Sequence, residues 1–161
     1  MRTLFLLGFI SAALSAPTHA LDQACEAILS ASEARLKLAS WHSVTLINKS
    51  LRLEVIKANG QFYNNIDAKW SKSPINLDDT ERALNAQVRS GEVKITQCKL
   101  VGSETINGVA VNVISSRTEM AGLPAADSSL YIGKADGLPY RQVGANLVVE
   151  YSYKDVTAPK L

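Results

Sequence analysis

The chain has 161 residues, 47% of them hydrophobic and 20% charged, with a formal net charge of +2. That composition excludes a disordered tail, a collagen-like rod and a polytopic membrane protein, and the length suits one domain. There is no basic block, so the chain lacks the electrostatic footprint for nucleic acid or an anionic membrane surface, and no nucleic-acid partner is expected.

At the N-terminus Arg2 precedes the apolar run Leu4 to Ile10, which continues through small residues to Ala16. The run is too short to span a bilayer as a helix. Pro17 then breaks it, and Thr18-His19-Ala20 offers the small residues that a signal peptidase needs. Residues 1–20 therefore read as a signal peptide cleaved after Ala20, and residues 21–161 as a single domain with no integral membrane segment in the mature chain. Leu21-Asp22-Gln23-Ala24-Cys25 has a superficial likeness to a lipoprotein box, but Asp22 stands where an apolar residue belongs. The reading is a soluble periplasmic protein. Export places Cys25 and Cys98, the only cysteines, in an oxidising compartment, at a separation too wide for a CxxC motif. A structural disulfide is the simplest assignment, with a free thiol or an intermolecular bridge as its rivals.

From Asp22 to Ser40, apolar or small residues recur at Leu21, Cys25, Ile28, Ser32 and Leu36, which predicts an amphipathic helix capped by Asp22. At Trp41 the period changes to two: Val44 and Leu46, then Leu51, Leu53 and Val55 alternating with Arg52 and Glu54, as strands with one wet face do. Asn59-Gly60 and Asn107-Gly108 each lie between strand-like runs and predict two hairpins, because a type I′ turn needs positive φ at both central residues. Between them Ser73-Pro74 breaks the chain. The acidic turn Asp78-Asp79-Thr80-Glu81 then opens a short helix that ends at Ser90-Gly91. Met120 leads into a loop through Ala126-Asp127, a strand at Ser129 to Ile132, a turn at Asp136-Gly137-Leu138-Pro139 and a last strand from Leu147 to Tyr153. The sum is an α+β fold with about seven or eight antiparallel strands.

Motifs for chemistry are sparse. Without the leader, His42 is the only histidine, and no Gly-x-Ser-x-Gly elbow presents it with a nucleophile. A hydrolase using His42 is the weakest reading, and the chain is not expected to be an enzyme. One histidine with no HExxH and no calcium loop leaves metals without a ligand set, and no cofactor is expected. Asp78, Asp79 and Glu81 have a sufficient structural cause at a helix start. The glycines Gly133, Gly137 and Gly144 make no phosphate loop, and the sequon Asn48-Lys49-Ser50 supports no assignment. If the strands curl, their inward positions either close on the helices as a core or line an apolar cavity. The candidate ligand-binding residues are Trp41, Leu53, Val55, Phe62, Trp70, Val111, Leu130, Ile132 and Val149, with Val113 and Leu147 also inward. Apolar Met120 to Ala126 is either a flap or a plain hairpin loop.

Three stretches carry a resemblance: Val101-Gly102-Ser103-Glu104-Thr105-Ile106-Asn107-Gly108-Val109, Tyr131-Ile132 before Asp136-Gly137-Leu138-Pro139-Tyr140-Arg141, and the closing Tyr151-Ser152-Tyr153-Lys154-Asp155-Val156. Together with the order of elements, they make the chain from Trp41 to Val156 similar to the LolA/LolB-like periplasmic lipoprotein-carrier superfamily. The resemblance implies a curved antiparallel half-barrel wrapped around an N-terminal helix and one short inserted helix, with an apolar pocket for acyl chains. The chain departs from that group in its small size and its cysteine pair. Two functions are expected from this: a non-catalytic binding protein for an apolar or lipid ligand, or a protein-interaction factor of the inhibitor or immunity type, with a filled core and an envelope protein as its partner.

Overall fold

The structure, a computed structural model, describes residues 21–66 and 68–161; the expected signal peptide lies outside them. Helix α1 spans Gln23–Leu36 and is capped by Asp22, whose carboxylate accepts the Cys25 N–H at 2.8 Å. The buried residues of α1 are Cys25, Leu29 and Ala31 rather than a single narrow stripe. The helix has two neighbours: Leu29 packs with Val88 and Val93, and Ala31 with Ile114 and Ile132. Leu36, expected on the stripe, is only half-buried.

Nine strands follow: β1 Ser40–Ile47, β2 Leu51–Ala58, β3 Gln61–Ile66, β4 Lys69–Lys72, β5 Val93–Ile106, β6 Val109–Met120, β7 Ala126–Gly133, β8 Pro139–Gly144 and β9 Leu147–Ser152. They form one open, curved antiparallel sheet in the order β4-β3-β2-β1-β9-β8-β7-β6-β5. The count exceeds the seven or eight expected, because β4 has only four residues and β8 six, too few for alternation to register. Asn59 and Gly60 have φ of 52° and 78°, and Asn107 and Gly108 have 49° and 82°, so both hairpins turn at Asn-Gly. Register slips in β5 between Thr96 and Lys99 and between Leu100 and Gly102 add twist at that edge.

Helix α2, Leu77–Ser90, is inserted between β4 and β5. Its cap is Asn76, two residues upstream of Asp78, where the acidic turn begins, and it ends on Gly91 in the left-handed region. Cys25 and Cys98 are joined as a disulfide across 73 residues, tying α1 to β5. Among the described residues no helix is long and apolar enough to cross a membrane.

Candidate functional site

Both helices lie over one face of the sheet without filling the space beneath them, and a cavity of about 470 Å³ remains. Strand alternation builds its floor. Trp41, Ser43 and Thr45 of β1 face it, with Val55 of β2 and Val149 and Tyr151 of β9 beside them. Ile95, Leu130 and Pro139 extend the floor toward the other edge, while α1 supplies Ile28 and Leu29 and α2 supplies Leu77, Leu84 and Val88.

One side of this largely aliphatic chamber is polar. Ser32 of α1 donates to Glu81 Oε1 at 2.5 Å and accepts from Asn85 Nδ2 at 2.8 Å. Arg35 donates through Nη2 to Glu81 Oε2, so the two helices are joined above the cavity by a charge-assisted pair. The Arg35 guanidinium also lies 4.6 Å from the Trp41 ring centroid and 5.1 Å from that of Tyr151. Burial works against its charge, but Tyr151 and Glu81 outweigh burial and hold its pKa above the usual value. The Tyr151 phenol is raised by burial, with Arg35 pulling the other way. Trp41, 3% exposed, meets Phe62 and Tyr151 edge to face at centroid distances of 6.0 and 6.5 Å. Its indole Nε1–H is buried and has no acceptor among the described residues.

Of the candidate residues, Trp41, Val55, Leu130 and Val149 line the cavity. Phe62 stands behind Trp41. Ile132 packs in the core with Ala31 and Ile114. Leu53 is half-buried opposite Thr45 and is not part of the wall. Trp70 pairs with Asn65, which pairs with Glu54, and so belongs to the sheet face away from the cavity. Val111 alternates out of phase with the wall residues Ser116 and Thr118. The sequence reading missed Ser32, Arg35, Glu81 and Asn85 as a group. Ile28, Ser32 and Arg35 continue at helical spacing, a polar extension of an apolar stripe, and that was the available signal.

His42 lies on the opposite face, its Nε2 2.9 Å from Glu54 Oε2. Burial raises the Glu54 pKa, but hydrogen bonds from Arg52 and His42 prevail and hold the carboxyl below its usual value. The three acidic residues at the start of α2 have structural partners: Asp78 pairs with Lys57, Asp79 with Arg82, which also reaches Asp78, and Glu81 with Arg35. Asp22, Cys25 and Cys98 bring metal-type atoms within 4.8 Å of one another, but both sulfurs are committed to the disulfide.

No family profile and no curated protein matches the sequence. Solved structures do. The lipoprotein LppX of Mycobacterium tuberculosis superposes with a TM-score of 0.54 at 13% identity, covering 86% of this chain and 97% of LppX. MucB in complex with MucA aligns at a TM-score of 0.48 and 16% identity, covering 84% of this chain and 57% of MucB. The chain has the LolA/LolB-like fold, an open sheet curved over an N-terminal helix.

Proposed function

We propose that this protein is an exported, non-catalytic binding protein that holds an apolar or lipid ligand between its sheet and its two helices. The observation that supports it is the cavity of about 470 Å³ with aliphatic and aromatic wall residues from six strands and both helices. That volume falls within the roughly 300–1,000 Å³ range of small-molecule sites, which are mostly apolar with a few placed polar groups. The site needs no metal or cofactor to bind such a ligand.

Native mass spectrometry of the mature protein purified from the periplasm, followed by organic extraction, tests this reading. A stoichiometric apolar adduct is the expected result. An empty protein that also fails to take up an added apolar probe would overturn it.

The second reading, a protein-interaction factor, is favoured by a separate feature. The segment between β6 and β7 is exposed and apolar, with Leu123 62% accessible and Met120, at the end of β6, 37%. Replacing Leu123 by serine would weaken capture of an envelope protein on this reading, and leave ligand uptake intact.

A further inference from the structure

Resting on the reading that the cavity holds an apolar ligand, we propose that this ligand is a neutral facial amphiphile, a body apolar on one side with several hydroxyl groups along the other, laid flat across the sheet. The observation behind it is a diagonal band of uncharged polar side chains in the cavity floor. Ser43 of β1 stands directly opposite Tyr151 of β9. Gln142 of β8 pairs with Val149, two residues before Tyr151, and with Leu130, two residues after Ser128 of β7. Ser128 in turn stands opposite Ser116 of β6, with the two hydroxyls 3.5 Å apart. Alternation puts these five on one face of the sheet, and all five line the cavity. They cross five adjacent strands, with direct neighbours about 5 Å apart and diagonal ones about 7–8 Å, so the band runs on the order of 20 Å.

The hydrogen-bonding capacity of the band is largely unspent. The side chains of Ser43, Tyr151 and Gln142 have no hydrogen-bond partner among the described residues, although Ser43 is only 6% exposed. Buried polar groups in native proteins are paired with protein, water or ligand. Each member of the band both donates and accepts, the hydroxyls through one O–H and two lone pairs and Gln142 through its amide. A hydroxyl on the ligand answers either role, whereas a hydrocarbon lying on the band answers neither and strands the groups it covers. The roof is different. Ile28, Leu29, Leu84 and Val88 present aliphatic surface there, and the polar groups of the helices, Ser32, Arg35, Glu81 and Asn85, bond one another. A head-and-tail lipid gathers its polar atoms at one end and would lay its chain over most of the band, so the spread of the five positions selects a ligand whose hydroxyls are spread as well. Charge sets the last limit. Among the described residues Arg35 and Glu81 are the only charged ones lining the cavity, and they pair, so a carboxylate or phosphate would enter without a counter-ion.

The test uses the delipidated mature protein and three neutral probes, each displacing a bound anilinonaphthalene dye: methyl cholate, with three hydroxyls on one face of its ring system; methyl cholanate, the same skeleton without them; and monopalmitin, with its hydroxyls at one end. Methyl cholate is expected to bind about tenfold more tightly than either of the others, the size of one or two net hydrogen bonds. Gln142→Leu should remove most of that preference and leave methyl cholanate binding as tight as before or tighter. In case that variant does not fold, the side-chain amide resonances of Gln142 in the native protein, assigned through the backbone, provide a second readout. They should move on adding methyl cholate and stay on adding monopalmitin. Equal or tighter binding of methyl cholanate or monopalmitin, an unchanged preference in Gln142→Leu, unmoved amide resonances with methyl cholate, or failure of all three probes to displace the dye would overturn the inference and leave the apolar cavity standing. Failure of the dye itself to bind would overturn the cavity reading as well.

Discussion

Lys57 Nζ lies 2.6 Å from Asp78 Oδ2, a buried ion pair that joins β2 to the first turn of α2. Lys57 also reaches the Leu36 carbonyl at the end of α1, 3.5 Å away, so one side chain meets both helices where they leave the sheet. Asp78 is held there by the α2 N-terminus as well as by the lysine, since the exposed N–H groups of a first turn favour an anion.

Removing either partner strands the other as a buried charge. Lys57→Met or Asp78→Leu alone should cost about 3–5 kcal/mol, whereas the double variant should recover much of that loss, because well-packed apolar groups replace a buried pair at little net cost. Urea denaturation of the two single variants and the double one measures it. A double variant as unstable as the sum of the singles would show that the two side chains act separately.

The Cys25–Cys98 bridge closes a 73-residue separation that contains α2 and the first four strands. Replacing both cysteines with alanine should destabilise the fold by about 4 kcal/mol on the chain-entropy account. The same effect should follow from reductant alone in the native protein, and intact mass before and after reduction reports the two hydrogens gained.

Leu130→Trp should place an indole in the cavity floor and reduce apolar-dye binding at least tenfold, with stability changed by less than about 1.5 kcal/mol, because the added volume enters empty space rather than packed core. Trp70→Ala, on the far face of the sheet, should leave dye binding unchanged. Dye titration and thermal melting of both variants separate cavity occupancy from general damage.

Tyr140 donates its hydroxyl to Asp136 Oδ2 at 2.6 Å, and its pKa is pushed up to about 12, first by burial and then by that carboxylate. The folded protein thus favours the neutral phenol. The stability it contributes is complete below the ordinary value of about 10 and is lost as pH rises through about 12. Alkaline titration should show a late phenolate absorbance step coupled to loss of structure, and Tyr140→Phe should remove the Tyr140 share of that pH dependence. A Cβ at Gly133 would lie 2.1 Å from Asp136 Oδ1, so any side chain there would have to displace this pair.

The parts of the fold governed by neighbouring residues were legible in the sequence. Asn59-Gly60 and Asn107-Gly108 fix two hairpins by their φ angles, and Asp22 and Gly91 bound helices by satisfying or releasing backbone groups. The cysteine pair followed from compartment and count. Whether an inward strand residue meets a neighbour or a void depends on how far α1 and α2 stand from the sheet, and no local period encodes that distance. Hence Ile132 and Leu130, two residues apart on one strand, are core and cavity wall. Arg35 and Glu81 are 46 positions apart, and their pairing becomes visible only when the helices are laid side by side.

The open sheet is two meanders, β1 to β4 and β5 to β9, and along the sheet they are stitched by one seam, β1 against β9. That seam pairs His42 with Ser152 and Ile47 with Leu147, residues more than a hundred positions apart in the first pair and a hundred in the second. Each meander can form from contacts close in sequence, whereas the seam must wait for a loop of most of the chain to close, the kind of pairing that slows folding. The cavity floor crosses this seam, with Trp41 on one bank and Tyr151 on the other, so the chamber is whole only when β9 has paired with β1.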